Sequence, residues 1–488
     1  EHTMLIFLTR ILSGLALLTA AAQAALPRVE MPAVDVPAAL AADALKKGPQ
    51  PFRFAVPVPV AITPQTHGQW HTAADGTAVW QLRVHSAKAT SLNFGFTRLA
   101  LPQGAALRIS TVDGRALSGP YGNEHNAQGQ LWTPVIRSDE ALIELRVPSA
   151  ARDAVQLTLG VVNHGFRGFG AKDEVSVKSG DCNIDVVCGD GDAWRNEIRS
   201  VARYTIAGAL LCTGTLINNA NQDFTPYFLT ANHCVPVPLL APTTVFYWNY
   251  QTASCGGTPD GSLEQTQSGA LFLAGSFDSA SVASDFTLMR LLATPDAAFK
   301  VYYSGWDRRD IAPVGVTGIH HPSGDEMRIS MDFDPTFIAA YGEQPDAAQS
   351  ALTPTHIMVQ SWDRGVTEGG SSGSGIWNTE HRLVGQLSGG GSSCDAQKDP
   401  DWYGRMYSNF SNVPTPLTSL GFWLDPAGNT ETVDGIDPNP ALPIPPAAPA
   451  PAPPASGGGV SDNGGGGAFG LSALLLIAAA RRRRRPMA

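Results

Sequence analysis

Gly369-Gly370-Ser371-Ser372-Gly373-Ser374-Gly375 places three serines among glycines, and two of them compete for one chemical role. A serine hydroxyl is a poor nucleophile at neutral pH. It needs an adjacent base to take its proton and free N–H groups to hold the oxyanion that forms. Glycine leaves such N–H groups uncovered, and those of Gly370 and Ser372 are spaced to point into one small cavity. Gly369-x-Ser371-x-Gly373 fits a strand-turn-helix elbow, whose partners must follow in the order serine, acid, histidine. The only later histidine is His381, directly after Glu380 with no strand between them, so an elbow at Ser371 cannot be completed. Ser372 must find its partners upstream.

Upstream lie Phe228-Leu229-Thr230-Ala231-Asn232-His233-Cys234 and then Ser284-Asp285-Phe286-Thr287-Leu288. The order His233, Asp285, Ser372 is that of a triad in which aspartate orients the imidazole and histidine takes the serine proton. Phe286, Leu288 and Leu291 form an apolar run that would bury Asp285 beside the histidine. Ala209 to Asn218, Pro226 to Ala231 and Val245 to Tyr250 read as strands, one of which delivers His233 at its end. Short strands broken by glycine and proline, without a βαβ pattern, predict an all-β fold.

Together with Cys182-Asn183-Ile184-Asp185-Val186-Val187-Cys188, Trp306-Asp307-Arg308-Arg309-Asp310 and Ile319-His320-His321-Pro322, these motifs resemble the bacterial lysyl endopeptidases over about residues 179 to 437. The resemblance implies a chymotrypsin-like fold of two six-stranded antiparallel β-barrels and cleavage after lysine. It implies Cys182 with Cys394, Cys188 with Cys255, and Cys212 with Cys234, where the sequence alone leaves 15 pairings open. It also maps the pocket carboxylate to Asp401, in front of Trp402-Tyr403-Gly404-Arg405. A buried carboxylate there would attract a basic side chain and would be costly to leave unpaired. Ser388, Gly389 and Gly390 supply an edge along which an extended substrate can add a strand. Two departures concern specificity: Ser388 stands where the family's reference member has histidine, and Ala340 or Tyr341 near where it has tryptophan. Cleavage after lysine is expected, with arginine tolerated. The Trp306 and His320-His321 motifs read as scaffold, since adjacent histidines on an extended chain face opposite sides.

The chain has 488 residues, enough for two or three domains, with 16% charged residues and a net charge of −10. No affinity for nucleic acid follows from that balance. Arg10, the apolar run Ile11 to Ala21 and the small-residue site ending at Ala24 read as a secretory signal over residues 4–24. In an exported chain six cysteines argue for disulfides rather than zinc, and neither metal nor cofactor is expected. Residues 25–178 read as a β-rich module: Trp80, Leu82 and Val84 alternate with Gln81 and Arg83, as Leu92, Phe94 and Phe96 do with Asn93 and Gly95. The resemblance assigns this module the part of a pro-region, a folding aid and inhibitor, against the alternative of a permanent binding β-sandwich. Lys172 and Lys178 precede Cys182, and cleavage after Lys178 would leave Ser179 as a new N-terminus. Animal trypsin-like zymogens pair that new ammonium with an aspartate just before the nucleophile; Ser371 holds that position here, so covering the cleft or templating the fold is the expected means of control.

From 438 to 467 the chain turns proline- and alanine-rich, then glycine-rich, as linkers do. An apolar run, Ala468 to Ala480, and an arginine cluster, Arg481 to Arg485, then resemble the Gly-Gly C-terminal sorting tags of secreted bacterial proteins. The protein expected is a secreted serine endopeptidase, transiently anchored or surface-attached. Its partners would be substrates with basic residues, its own pro-region, and the export and tag-processing machinery. The reading of a different class is a surface-tethered adhesion or binding protein with an inactive protease fold.

Overall fold

The computed structural model describes residues 26–439 except 47, 170–178, 277–283, 344–353 and 412–414. The signal segment with Ala24, the junction holding Lys172 and Lys178, and the tail from 440 onward lie outside the described residues. No described helix is long and apolar enough to cross a membrane.

The alternation around Trp80 and Phe94 builds two facing sheets, one of six strands and one of four. Strand Ala78–His85 pairs with Glu140–Val147, and Ser91–Ala100 with Gln156–Gly165. Trp80, Leu82, Val84, Phe94, Phe96, Ile143, Leu145 and Leu159 fill the space between them and are essentially inaccessible to water. Strand Ser91–Ala100 departs from half-burial, since Asn93 and Gly95 are buried as well. The cause is a second partner: Asn93 Nδ2 donates to the Gly208 carbonyl at 2.9 Å, and the Trp132 ring covers Gly95. Phe54, Ala55, Trp132, Val135 and Phe169 form one apolar cluster with Ala209, Leu211, Val245 and Tyr247. The N-terminal module is thus joined to the C-terminal one by a continuous core. An element absent from the sequence reading, helix Val36–Ala44, begins at Asp35, whose side chain accepts from Ala38 N at 2.9 Å.

Beyond residue 179 the chain forms two further sheets, both largely antiparallel. The first runs, in spatial order, Thr266–Ser268, Val245–Trp248, Val201–Ile206, Leu210–Ile217, Tyr227–Ala231, Phe286–Leu291 and Ala270–Gly275. Phe52–Arg53 of the N-terminal module adds an eighth strand, opposite Leu211 and Leu210. The second has ten strands centred on Val314–His320, Gly375–Asn378, Leu383–Gly390 and Asp401–Arg405. Both are wider than six strands because two- and three-residue edges such as Ile184–Asp185 and Thr432–Val433 extend them. Val201, Leu229, Leu288, Trp306, Ile319, Ile329 and Trp377 make one core shared by both sheets.

The cysteines pair as the resemblance implies, with Cα separations of 5.5, 4.8 and 6.4 Å for Cys182–Cys394, Cys188–Cys255 and Cys212–Cys234. Cys212–Cys234 closes a short loop next to His233. Replacing both by alanine is expected to cost about 3 kcal/mol. For a domain of this size, that lowers the melting temperature by about 10 °C, measurable by calorimetry.

Candidate active site

His233 follows strand Tyr227–Ala231, and Asp285 precedes strand Phe286–Leu291, its hydrogen-bonded neighbour. The pairing Ala231↔Phe286 therefore sets the two side chains together without further design. His233 Nδ1 donates to Asp285 Oδ2 at 2.7 Å, and the His233 backbone N–H donates to Oδ1 at 2.9 Å. Asp285 sits at φ 55°, unusual for a non-glycine residue. Its carbonyl accepts from Asn232 N at 2.9 Å and Gln386 Nε2 at 3.3 Å, which hold that conformation. His233 Nε2 is buried and has no hydrogen-bond partner among the described residues.

Ser372 is bound to the first sheet through its backbone, Thr213 N donating to its carbonyl at 2.9 Å. Cys234 Sγ, next to the imidazole, lies 3.9 Å from the same carbonyl. No hydrogen bond joins the Ser372 hydroxyl to Nε2, an arrangement common before substrate arrives. In the nucleophile loop, Ser371 N donates to Glu368 O, Gly373 N to Leu387 O and Ser374 N to Ser371 O. The N–H groups of Gly370 and Ser372 are engaged by no other described group. Gly370 adopts φ 99°, and a Cβ there would meet the His321 carbonyl at 2.8 Å, so the loop requires glycine at this position.

Ser371 has a different environment. It is fully buried and shares a 2.8 Å hydrogen bond with His320 Nδ1, while His320 Nε2 reaches Ser330 Oγ at 2.9 Å. Burial holds the His320 imidazole down to about 3, so it is neutral. His321 is equally buried and bonded to the Asp325 carbonyl. The His320 ring thus props the loop through Ser371, while the His321 ring braces the turn that ends at Asp325. Of the possible metal-ligand groups, Cys212, His233 and Cys234 include a disulfide, which leaves no thiolate to offer.

Asp401 lies at the start of strand Asp401–Arg405 and is completely buried. Its Oδ2 accepts from Trp362 Nε1 at 2.7 Å, Ser392 Oγ at 2.7 Å and Thr367 Oγ1 at 2.9 Å. Oδ1 receives only the Ser392 N–H, at 3.4 Å. No described cation pairs with it. Burial pushes its pKa up, and the three side-chain donors offset only part of that. Trp362 and Thr367 come from the loop after His356–Val359 and Ser392 from the loop after Leu383–Gly390, and none of them belongs to a motif that the sequence shows.

Ser388, Gly389 and Gly390 end strand Leu383–Gly390. Gly389 and Gly390 pair with Trp402 and Asp401 on one side, while pairing with Gly375–Asn378 on the other side stops at Gln386. No strand therefore pairs with this edge where a substrate strand would lie. Ser388 does not leave this region without rings. Its Oγ meets His356 Nε2 at 3.0 Å, and Tyr341 lies 5.5 Å from the His356 ring and 5.6 Å from Trp402. Strand His356–Val359, on the far side of Asp401–Arg405 in the sheet, thus places an imidazole beside Ser388 and the Tyr341 ring.

A family model described as the lysyl endopeptidase C-terminal domain matches residues 177–404, and one described as the lysyl endopeptidase N-terminal domain matches residues 30–166. A lysyl endopeptidase of Pseudomonas aeruginosa is 30% identical over 382 residues, 72% of this chain and 76% of that protein. Among solved structures, the HtrA-type protease AlgW matches with 14% identity and a TM-score of 0.29, over 44% of this chain and 59% of its own. A thermostable serine protease, AL20, from an extremophilic microorganism matches with 13% identity and a TM-score of 0.30, over 43% and 92%.

Proposed function

The chain belongs to the lysyl endopeptidase family, and from that premise we propose that it is a secreted serine endopeptidase cutting after lysine, with arginine tolerated, on a two-barrel chymotrypsin-like scaffold. The observation that carries the reading is Asp401, a completely buried carboxylate paired with no cation among the described residues, opposite Gly390 at the end of strand Leu383–Gly390. A substrate ammonium entering there gains a charged partner already desolvated and already held by three donors. Ser372 attacks the carbonyl carbon after that residue, and His233 Nε2 takes the serine proton. Asp285 holds the imidazole in the tautomer with the proton on Nδ1, and the N–H groups of Gly370 and Ser372 receive the oxyanion. The protonated His233 then donates to the leaving amine, and water repeats the sequence on the acyl-enzyme.

In this reading residues 4–24 direct export, 25–178 are a pro-region removed after Lys178, 179–437 are the protease, and 438–488 carry a linker and a sorting tag. The contacts of the N-terminal module support inhibition. A Cβ on Gly369 would come within 3.2 Å of the Phe52 ring, and one on Gly389 within 3.6 Å of Pro49. The segment from Pro49 to Arg53 therefore lies along both the nucleophile loop and the substrate edge, and Phe52 and Arg53 are hydrogen-bonded to strand Leu210–Ile217. Phe52→Ala in residues 25–178, added to the mature enzyme, is expected to raise the inhibition constant about 10-fold. An unchanged constant would remove Phe52 from the inhibitory contact.

The test of function is mass-spectrometric mapping of every bond cut in a denatured protein, with Ser372→Ala in parallel. Cuts after lysine that vanish in the variant support the reading. Equal cutting after arginine would show a relaxed pocket, and no cutting at all by the mature enzyme would refute it.

A further inference from the structure

Asp325 is 3% exposed, and its Oδ2 accepts from both the backbone N and the Oγ of Ser179, each at 2.8 Å. Ser179 is itself buried. Around this pair the charges do not balance. Asp185, Asp325, Glu326 and Glu368 lie near two described guanidinium groups, Arg203 and Arg328. Arg328 is committed to Asp185 and reaches Asp325 only at 3.8 Å. Arg203 is buried between the rings of Phe169 and Tyr250 and donates to the Gly324 carbonyl, not to Asp325. Glu326 Oε2 is buried with no hydrogen-bond partner among the described residues. Among the described residues the cluster has no cation paired with Asp325 or Glu326 closer than 3.8 Å.

The geometry points to Asp325 as the positioning residue for a new N-terminus: once the bond before Ser179 is hydrolysed, the Ser179 ammonium pairs with its carboxylate and fixes the nucleophile loop. This rests on the proposed processing after Lys178, a residue outside the described ones. In that step water gives its hydroxyl to the Lys178 carbonyl carbon and the C–N bond breaks. The Ser179 nitrogen takes the remaining water proton and then, at neutral pH, the proton of the new carboxylic acid. An amide that could only donate one N–H becomes an ammonium in the same place, with no rearrangement needed to reach the carboxylate.

The link from this pair to the site is short. Asp325 N donates to Pro322 O at 2.9 Å, closing the turn Pro322–Gly324. Ser323 in that turn donates through its N–H to Gly369 O at 2.6 Å and through its hydroxyl to Glu368 Oε2 at 2.9 Å. Gly180 N, one residue beyond the new terminus, donates to Glu368 Oε1 at 2.9 Å. Both carboxylates that receive the strap 179–180 thus brace Glu368-Gly369-Gly370, and Gly370 supplies an oxyanion N–H in the proposed mechanism. Burial raises the Asp325 pKa to about 6, which an adjacent ammonium would reverse. The carboxylate differs from the one animal zymogens use, as it lies on the turn supporting the loop rather than in the loop itself.

The experiment expresses the full chain as wild type, Asp325→Asn and Asp325→Glu, sequences each mature N-terminus, and measures kcat and KM on a lysyl peptide. Loss of a buried ion partner is expected to lower kcat about 100-fold in Asp325→Asn, with KM changing less than about threefold and partial recovery in Asp325→Glu. Independently, the Ser179 amine of native wild type should resist reductive methylation until the protein is unfolded. That measurement decides the matter even where Asp325→Asn fails to fold. A mature protein starting elsewhere than Ser179 overturns both this inference and the processing site. A Ser179 terminus that methylates as fast as a free peptide, or an Asp325→Asn enzyme with wild-type kcat, overturns the inference alone and leaves the protease reading intact.

Discussion

Ser372→Ala is expected to lower kcat for peptide hydrolysis by about 10⁴–10⁶-fold, with His233→Ala alike and the double variant no worse than either. Nucleophile and base act as one unit, so removing the second after the first has nothing left to abolish. Asp285→Asn should fall by about 10⁴-fold for a different reason. Asp285 accepts from His233 at two points, Oδ1 from the backbone N–H and Oδ2 from Nδ1, at 2.9 and 2.7 Å. An asparagine can accept at only one of them. If its amide nitrogen faces Nδ1, the ring must move its proton to Nε2, where it can no longer take one from serine. Because the backbone at Asp285 is fixed by Asn232 and Gln386, the variant is expected to fold and bind peptide with nearly unchanged KM. Progress curves at saturating substrate measure the kcat term. A Ser372→Ala enzyme with measurable turnover would place the nucleophile elsewhere, and Ser371, tied to His320 at 2.8 Å, would be the first residue to reconsider.

What could be read in advance follows from how local each feature is. His233, Asp285 and Ser372 each lie in a short motif whose residue types are dictated by chemistry, and adjacent strands bring the first two together. Strand alternation located the N-terminal sheets, since one face of each is dry. It missed the burial of Asn93 and Gly95, as the groups covering them, Gly208 and Trp132, lie far along the chain on other segments. The same holds for the pocket. Asp401 stood out by its place before Tyr403-Gly404-Arg405, whereas Trp362, Thr367 and Ser392 carry no local signal and meet it only through folding. Ser388 looked like the loss of a ring, and the fold answers with His356 and Tyr341 from other segments. A substitution read along the chain has no access to what a neighbouring strand provides. Asp325 was hidden for the same reason, 146 residues from the Ser179 nitrogen it receives.

The second large effect is at Asp401, where activity and stability should move in opposite directions. In Asp401→Asn the carbonyl oxygen can take the place of Oδ2 and keep the donors Trp362, Thr367 and Ser392, so the pocket retains its shape. The charge that a lysine ammonium would meet is gone. Leaving that ammonium buried without its partner is expected to reduce kcat/KM for lysyl peptides by about 10²–10³-fold. Hydrolysis of a small activated ester without a basic group should be nearly unaffected, which separates pocket charge from damage to His233 and Ser372. Without substrate, the sign reverses. Burial raises the Asp401 pKa in the folded protein above its unfolded value, so the native state binds the proton more tightly. Stability from this group therefore declines as pH rises from the ordinary carboxylate range through the raised value, and above that the ionised side chain is a net cost. Asp401→Asn should accordingly melt higher than wild type at pH 8, and the gap should close in acid, where both side chains are neutral. A lysine-containing peptide inhibitor should restore the order, stabilising wild type far more than the variant. Calorimetry across that pH range with and without the inhibitor measures both signs. A variant that melts lower at pH 8, or binds the inhibitor as well as wild type, would mean that the Asp401 charge is compensated within the protein and is not reserved for substrate.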